Sequence, residues 1–242
     1  MSYRRKTKDL DELLALFALL SIWICAIISP KNQAVPAADY QSGACRPVLI
    51  IDPGHGGMDG GASAPDGVKE SEINLSIALR LRDLSALMGL PVRMTRESEE
   101  LDYPPEITSI AERKRWDTRR RCEEINAIND GFLISIHQNY YPSSAPHGAQ
   151  VLYSPGVDSR LWAQRAQSEL SASLCPNNRR LAVPAEENIY IMNHIQCPAI
   201  LVECGFLSNP GEAQALQDAG YQLRLAAILA NCALELTEEH II

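Results

Sequence analysis

Two histidines and a glutamate each follow a strongly apolar run, and they are the residues in this chain best suited to chemistry. His55 lies in a glycine-rich loop after the run Val48–Ile51, while His137 and Glu203 are the last residues of two further apolar runs. Short apolar runs bounded by turn residues predict buried strands. If the three strands are parallel, their carboxyl ends share one edge of the sheet. We therefore expect the three side chains to converge on one site.

A fourth candidate lies at the start of the next predicted helix, where Glu70 and Glu72 both occur. Either carboxylate could simply stabilise the amino terminus of that helix, and the spacing does not distinguish between the two. Two histidines and one of these glutamates would form a zinc site with three protein ligands and an open fourth position, which is the arrangement of catalytic zinc. The remaining carboxylate would then be the general base.

Other chemistries have less support in the sequence. The chain contains no G-x-S-x-G motif, so a serine hydrolase has no visible nucleophile. Asp59 stands where a phosphate-binding loop would have its third glycine, and an acidic residue would repel phosphate. Cys204 has no activating partner in the sequence, and none of the seven cysteines forms a CxxC pair. The net charge of -8 and the pI of about 5.2 argue against a nucleic-acid partner.

Apolar runs alternate with helical patterns through the rest of the chain, which predicts a single α/β domain. Its central sheet should have six strands, mostly parallel or mixed, with helices on both faces. The predicted strands are Val48–Ile51, Pro91–Thr95, Phe132–His137, Ala149–Ser154, Asn188–Met192 and Ala199–Val202. The predicted helices are Glu72–Leu87, Glu112–Asn129, Arg160–Leu174, Gly211–Leu216 and Gln222–Leu236.

The amino-terminal region has a different composition. A basic cluster, Arg4–Lys8, precedes the apolar run Leu13–Ile28, a pattern typical of export across a membrane with the basic end inside. We interpret residues 1–29 as a cytoplasmic basic tip and a membrane segment, either a signal anchor or a cleaved signal peptide. Residues 30–46 are interpreted as a linker, and residues 47–242 as the catalytic domain.

The chain resembles the zinc-dependent N-acetylmuramoyl-L-alanine amidases in motifs that run in order from about Val48 to Leu236. The motifs are Ile51-Asp52-Pro53-Gly54-His55-Gly56-Gly57, Glu70-x3-Asn74-Leu75, Thr95-Arg96, Ser135-Ile136-His137-x-Asn139 and Leu201-Val202-Glu203-x-Gly205-Phe206. The resemblance implies zinc bound by His55, Glu70 and His137, and therefore chooses Glu70 over Glu72. It also implies that Glu203 is the catalytic carboxylate.

The resemblance further implies the reaction, which is hydrolysis of the amide between N-acetylmuramic acid and L-alanine in peptidoglycan. The N-terminal anchor and Gly148-Ala149-Gln150 resemble the sporulation branch, which acts on spore cortex during muramic-δ-lactam formation. A more general role in cell-wall remodelling is the alternative. Gln150 departs from the carboxylate that many family members carry there, which bears on substrate preference. Asn139 and Arg96 are candidates for contacting the substrate, and a purely structural role is open for each.

Two rival functions remain at this point. One is a non-catalytic, membrane-tethered scaffold that binds peptidoglycan on the same fold. The other is a zinc peptidase that acts on the stem peptide. The predicted partners are peptidoglycan and, through the N-terminal segment, the membrane, and the need for an activating partner protein is left open. The predicted location is the cell-wall or spore-cortex side of the cytoplasmic membrane.

Overall fold

The computed structural model describes residues 46–238. The predicted membrane segment, residues 1–29, and all but the last residue of the predicted linker lie outside this range. Within residues 46–238, none of the helices combines the length and the apolar character needed to cross a membrane.

The described residues form one six-stranded mixed sheet with helices on both of its faces, as predicted. The strands are β1 (Val48–Pro53), β2 (Val92–Met94), β3 (Gly131–Asn139), β4 (Gln150–Tyr153), β5 (Val183–Pro184) and β6 (Ala199–Phe206). The helices are α1 (Glu70–Leu87), α2 (Ile110–Asn126), α3 (Val157–Leu174), α4 (Tyr190–His194), α5 (Pro210–Gln217) and α6 (Ala219–Glu238).

The strand order is β2-β1-β3-β6-β4-β5. Strands β2, β1, β3 and β6 are mutually parallel, whereas β4 pairs with β6 in the antiparallel direction and β5 is parallel to β4. The parallel alignment of β1, β3 and β6 therefore confirms that their carboxyl ends lie at one edge.

Alternate residues of the central strands pack into two separate apolar clusters because successive side chains of a strand point to opposite faces. Leu49 and Ile51 join the larger cluster with residues of α1, α3 and α6. Ile50 lies between them in sequence and joins the smaller cluster with residues of α2 and α4. The strands are buried on both faces, which explains their continuous apolar sequences.

The prediction of a strand at Asn188–Met192 is wrong, because helix α4 covers most of this segment. Ile191 and Met192 are adjacent in sequence, yet both are buried in the smaller cluster. One short helical turn can bury two neighbours against the same surface, whereas a strand would direct them to opposite faces. Periodicity does not separate a short buried helix from a strand. The remaining strand, Val183–Pro184, has only two residues and was missed.

The buried carboxylate of Asp52 links β1 to β3, to the end of β2 and to α2. It accepts hydrogen bonds from Thr95 Oγ1 and Ser135 Oγ, both at 2.7 Å, and from Arg121 Nη1 at 3.0 Å. Arg121 also donates from Nε to Asp117 Oδ2 at 3.0 Å. Burial alone raises the pKa of Asp52, but the charge of Arg121 and the two hydroxyl donors outweigh it and lower the pKa to about 2.

We predict that Asp52→Ala lowers the free energy of unfolding by about 3–5 kcal/mol, because it leaves the buried guanidinium of Arg121 without its main partner. Urea denaturation at neutral pH measures this change. Glu97→Ala is the matched control, since it breaks an exposed ion pair with Arg82 and should cost less than about 1 kcal/mol.

The same carboxylate should contribute to the pH dependence of stability. Its folded pKa of about 2 is lower than the usual value of 3.8, so its contribution is complete above about pH 4 and is lost as the pH falls towards 2. The wild-type protein should therefore lose more stability across this window than Asp52→Ala. Equal losses in the two proteins would contradict this assignment.

Candidate metal centre

His55 lies in the loop after β1 and is held by a carboxylate from the same loop. Its backbone has φ 63°, a left-handed conformation that is uncommon for a residue with a side chain and that marks local strain. Its Nδ1 is 2.9 Å from Asp59 Oδ2. An ionised carboxylate can only accept, so Nδ1 carries the proton and Nε2 is left as a donor of electrons to a metal. This Nε2 faces Glu70 Oε1 at 3.2 Å.

Glu70 is the first residue of α1, and its carboxylate is almost fully buried, with 3% of the residue exposed. Oε1 accepts the backbone N–H of Gln138 at 3.1 Å, and Oε2 accepts that of Ala62 at 2.9 Å. Asn74 lies one turn further along α1 and places its Nδ2 3.4 Å from Oε1. Glu72 is exposed to solvent. Of the two glutamates that the spacing left open, the structure therefore brings Glu70 to the histidines.

His137 approaches from β3, where its Nδ1 is 3.1 Å from Glu70 Oε1. Its ring occupies the space where a side chain at Gly54 would lie, so the close packing of the loop after β1 against this ring requires glycine. The two imidazole rings have centroids 5.0 Å apart. One ligand atom each from His55, Glu70 and His137 lies within 4.8 Å of the others. The three predicted ligands therefore converge.

The electrostatics of this cluster favour a cation. Burial lowers the pKa of His55, but its hydrogen bonds to Asp59 and Glu70 outweigh burial and raise the pKa to about 9. For Glu70, burial acts to raise the pKa, and the two histidines outweigh it and hold the pKa well below its usual range. Two imidazoles and one ionised carboxylate are the donor set of three-ligand zinc sites, so these residues fit that metal.

Glu203 is the register partner of His137 in the parallel pairing of β6 with β3, so both side chains project from the same face of the sheet. Its Oε2 is buried and has no hydrogen-bond partner among residues 46–238. Burial raises its pKa. A buried carboxyl oxygen without a partner, beside a cluster of metal-ligand type, fits a group that exchanges a proton with a reactant. The neighbouring Cys204 is unsuited to this role, because burial raises the pKa of its thiol and keeps it protonated.

Two residues that hold the ligands were missed by the sequence reasoning. Asp59 orients His55, and Lys114 Nζ lies 3.1 Å from the same Asp59 oxygen. Asn74 donates to Gly54 O at 3.1 Å and accepts from Gln138 Nε2, which joins β1, α1 and β3 behind Glu70. Asn74 stands in the motif Glu70-x3-Asn74-Leu75 and Asp59 stands four residues after His55, but neither residue was assigned a role from the sequence.

The two residues predicted as substrate contacts differ in their surroundings. The Arg96 side chain is 2% exposed, and it donates to backbone carbonyls of the loop after β1 and of α1, so its geometry is that of a structural residue. Asn139 is the last residue of β3, is partly exposed, and makes no side-chain hydrogen bond within the described part of the chain. Its role as a substrate contact stays a prediction.

Comparison with known proteins identifies relatives over most of the chain. Residues 49–234 match the family described as N-acetylmuramoyl-L-alanine amidase. The germination-specific N-acetylmuramoyl-L-alanine amidase of Bacillus subtilis (strain 168) is 38% identical over 226 residues, covering 93% of this chain and 92% of that protein. The amidase LytC of the same organism is 29% identical over 182 residues, which cover 74% of this chain but 33% of LytC.

The fold is shared with a solved relative. The CwlD amidase from Clostridioides difficile, whose structure was determined in complex with the GerS lipoprotein, superposes with a TM-score of 0.75 at 33% identity. The match covers 78% of this chain and 98% of the other. Sequence and fold therefore agree over nearly the whole described domain, and the chain belongs to the N-acetylmuramoyl-L-alanine amidase family of peptidoglycan hydrolases.

Proposed function

We propose that this chain hydrolyses the amide between N-acetylmuramic acid and L-alanine with zinc held by His55, Glu70 and His137. The observation that carries the proposal is the convergence of these three side chains beside the buried, unpartnered Oε2 of Glu203. When bound, a zinc ion would act as a Lewis acid toward the scissile carbonyl and would make water easier to deprotonate.

Glu203 supplies the proton transfers in this proposal. Its carboxylate removes a proton from the attacking water and then delivers it to the amine of the leaving L-alanine, as general base and then general acid. The raised pKa of a buried carboxyl suits a group that must hold the proton between these two steps. Asp59 and Asn74 act indirectly by fixing His55 and Glu70. Asn139 is the proposed substrate contact at the end of β3.

The rival functions differ from this proposal in their products. A non-catalytic scaffold would have no use for Glu203 Oε2, a carboxyl oxygen buried without a partner, so that oxygen favours catalysis. A zinc peptidase would cut within the stem peptide, whereas an amidase releases an intact peptide with a free N-terminal alanine. Mass spectrometry of muropeptides digested by the purified protein therefore distinguishes all three functions.

We further propose a role in the spore cortex, at the step that leads to muramic-δ-lactam. The germination-specific relative and the CwlD amidase support this assignment. The complex of that amidase with a lipoprotein also supports the use of an activating partner protein here. The basic and apolar residues 4–28 support export and anchoring at the membrane, with the catalytic domain on the cortex side. Muropeptide analysis of spores from a strain that lacks this protein should show no muramic-δ-lactam.

Glu203→Gln should separate metal binding from proton transfer. We expect it to retain the zinc affinity of the wild type and to lower kcat by roughly 10²–10⁴-fold, because the amide cannot accept the proton of water. His55→Ala is the companion variant, which should lose both zinc and activity. Zinc content by atomic absorption and muropeptide release by chromatography measure the two effects. Near-normal cleavage by Glu203→Gln would refute the assigned role.

Asp59→Ala should weaken zinc binding roughly 10–100-fold, the usual effect of removing a partner that orients a metal-bound histidine. Competition with a chromophoric chelator measures the affinity directly and does not depend on turnover. Asp83→Ala is the matched control, since Asp83 is an exposed aspartate on α1 that pairs with Arg82. An unchanged zinc affinity in Asp59→Ala would show that the Asp59 contact does not position His55.

A further inference from the structure

We propose that a cavity beside the metal centre binds the peptide part of the substrate, by pairing with a carboxylate and an ammonium group on that peptide. This inference rests on the proposed amidase function and specifies where its substrate binds. The cavity has a volume of about 410 Å³, which lies in the range of ligand pockets. Its lining residues include Gly57, Met58, Lys69, Glu72, Glu100 and Tyr103.

The cavity is built from the same segments that carry two of the metal ligands. Gly57 and Met58 belong to the loop that begins with His55, and Lys69 immediately precedes Glu70. Glu72 lies in the first turn of α1, and the rest of the wall comes from the segment between β2 and α2 and from the first turn of α2. The cavity therefore borders the loop that carries His55 and the start of the helix that carries Glu70, which makes it the candidate site for a part of the substrate that extends from the metal centre.

Contacts within the protein hold the far wall of the cavity in place. Glu99 O accepts the backbone N–H of Gly57 at 2.7 Å, and Tyr103 Oη accepts that of Met58 at 3.2 Å. The guanidinium of Arg113 lies 5.0 Å from the centre of the Tyr103 ring, and its Nε donates to Ile107 O at 3.0 Å. The wall is thus formed before any ligand arrives, which reduces the ordering cost of binding.

The charged groups of the cavity fall into two sets. The Glu99 carboxylate is already engaged, since it accepts from Arg96 Nη1 at 2.9 Å and from Ser71 Oγ at 2.8 Å. The side chains of Lys69, Glu72 and Glu100 are exposed, and their charged groups make no hydrogen bond or ion pair with any residue between 46 and 238. One ammonium and two carboxylates therefore remain available to a ligand.

The complementary ligand carries a carboxylate for Lys69 and an amine for Glu72, the carboxylate on the helix that begins with Glu70. Charge complementarity of this kind selects partners more strongly than it adds affinity. The substrate of an amidase of this family has a sugar part and a peptide part. Sugar hydroxyls and acetamides are neutral, whereas a peptide presents carboxylates and, where it contains a diamino acid, a side-chain amine. The charges of the cavity therefore favour the peptide.

The test compares enzyme variants on substrates that differ by a single charge. The aliphatic stem of Lys69 lies against Gly60, since a Cβ built on Gly60 would be 2.8 Å from Lys69 Cδ. Lys69→Met keeps an aliphatic side chain there and removes the ammonium group. On a muropeptide with free peptide carboxylates, we expect this variant to raise KM roughly 2–5-fold with kcat unchanged, the size of one lost exposed ion pair. On the same muropeptide with its carboxylates amidated, Lys69→Met and the wild type should have equal KM values.

A second variant tests the opposite charge. Glu72→Gln should raise KM for a muropeptide with a free side-chain amine and leave KM unchanged for the N-acetylated form. Glu123→Gln is the matched control, because Glu123 is an exposed glutamate near the carboxyl end of α2 and does not line the cavity. Zinc affinity, measured for each variant by chelator competition, reports any disturbance of the neighbouring Glu70.

The results distinguish failure of this inference from failure of the proposed function. Cleavage of neither muropeptide by the wild-type protein would overturn the amidase function itself. The peptide site would be overturned if the wild type cleaves both muropeptides but the two variants show no dependence on substrate charge. In that case Lys69→Met and Glu72→Gln would change KM equally for charged and neutralised substrates, or would change it for neither. The amidase function would still stand. If Lys69→Met loses zinc, the Glu72→Gln comparison decides the question, because the Glu72 side chain is exposed and makes no hydrogen bond or ion pair with the three predicted ligands.

Discussion

The buried carboxylate of Glu70 is the interaction on which the arrangement of the site depends. A carboxylate removed from water must be compensated by donors or by positive charge. Here the backbone N–H groups of Ala62 and Gln138 supply two donors, one from the loop after β1 and one from β3. Two histidines face the same carboxylate. The loop after β1 and the end of β3 are therefore held against the start of α1, because each donates to the buried carboxylate of Glu70. The negative charge of this carboxylate also favours a metal cation between the two histidines.

The register of the parallel strands places the remaining catalytic candidate. His137 and Glu203 are direct partners in the pairing of β3 with β6, and a shift of one residue would turn Glu203 to the opposite face. Asp52 stabilises the neighbouring pair of strands, β1 and β3, since it accepts a hydrogen bond from Ser135 of β3. It also binds Arg121 of α2, which holds that helix against the sheet. The apolar side chains determine which face of the sheet each residue occupies. The polar network of Asp52 holds the carboxyl ends of β1 and β3 together at the edge that carries the site.

The convergence of the site was predictable because it follows from a simple rule of parallel sheets. His55, His137 and Glu203 could be placed together from the apolar runs that precede them. The choice of Glu70 over Glu72 was not available from spacing. Both residues suit a helix amino terminus, and only the packing of α1 against β1 and β3 determines which one faces inward. Asp59 and Asn74 were missed for a related reason, because their roles depend on distances of about 3 Å between segments that the sequence does not align. The wrong prediction of a strand at α4 has a different cause, because a helix of so few residues shows no periodicity that would distinguish it from a buried strand.

Arg96 shows how the metal centre and the neighbouring cavity are connected. A guanidinium has five N–H donors, and in Arg96 they are matched by five acceptors within the protein. Three of these acceptors are the carbonyls of Pro53, Gly54 and Ser71, which fix the loop of His55 against the start of α1. The others are Ser98 O and the carboxylate of Glu99, on the wall of the cavity. One buried side chain therefore sets the position of His55 and Glu70, two of the proposed metal ligands, relative to the proposed peptide site. Arg96 is therefore turned inward, where it binds backbone carbonyls, and the exposed charges of Lys69 and Glu72 remain available to the proposed peptide ligand.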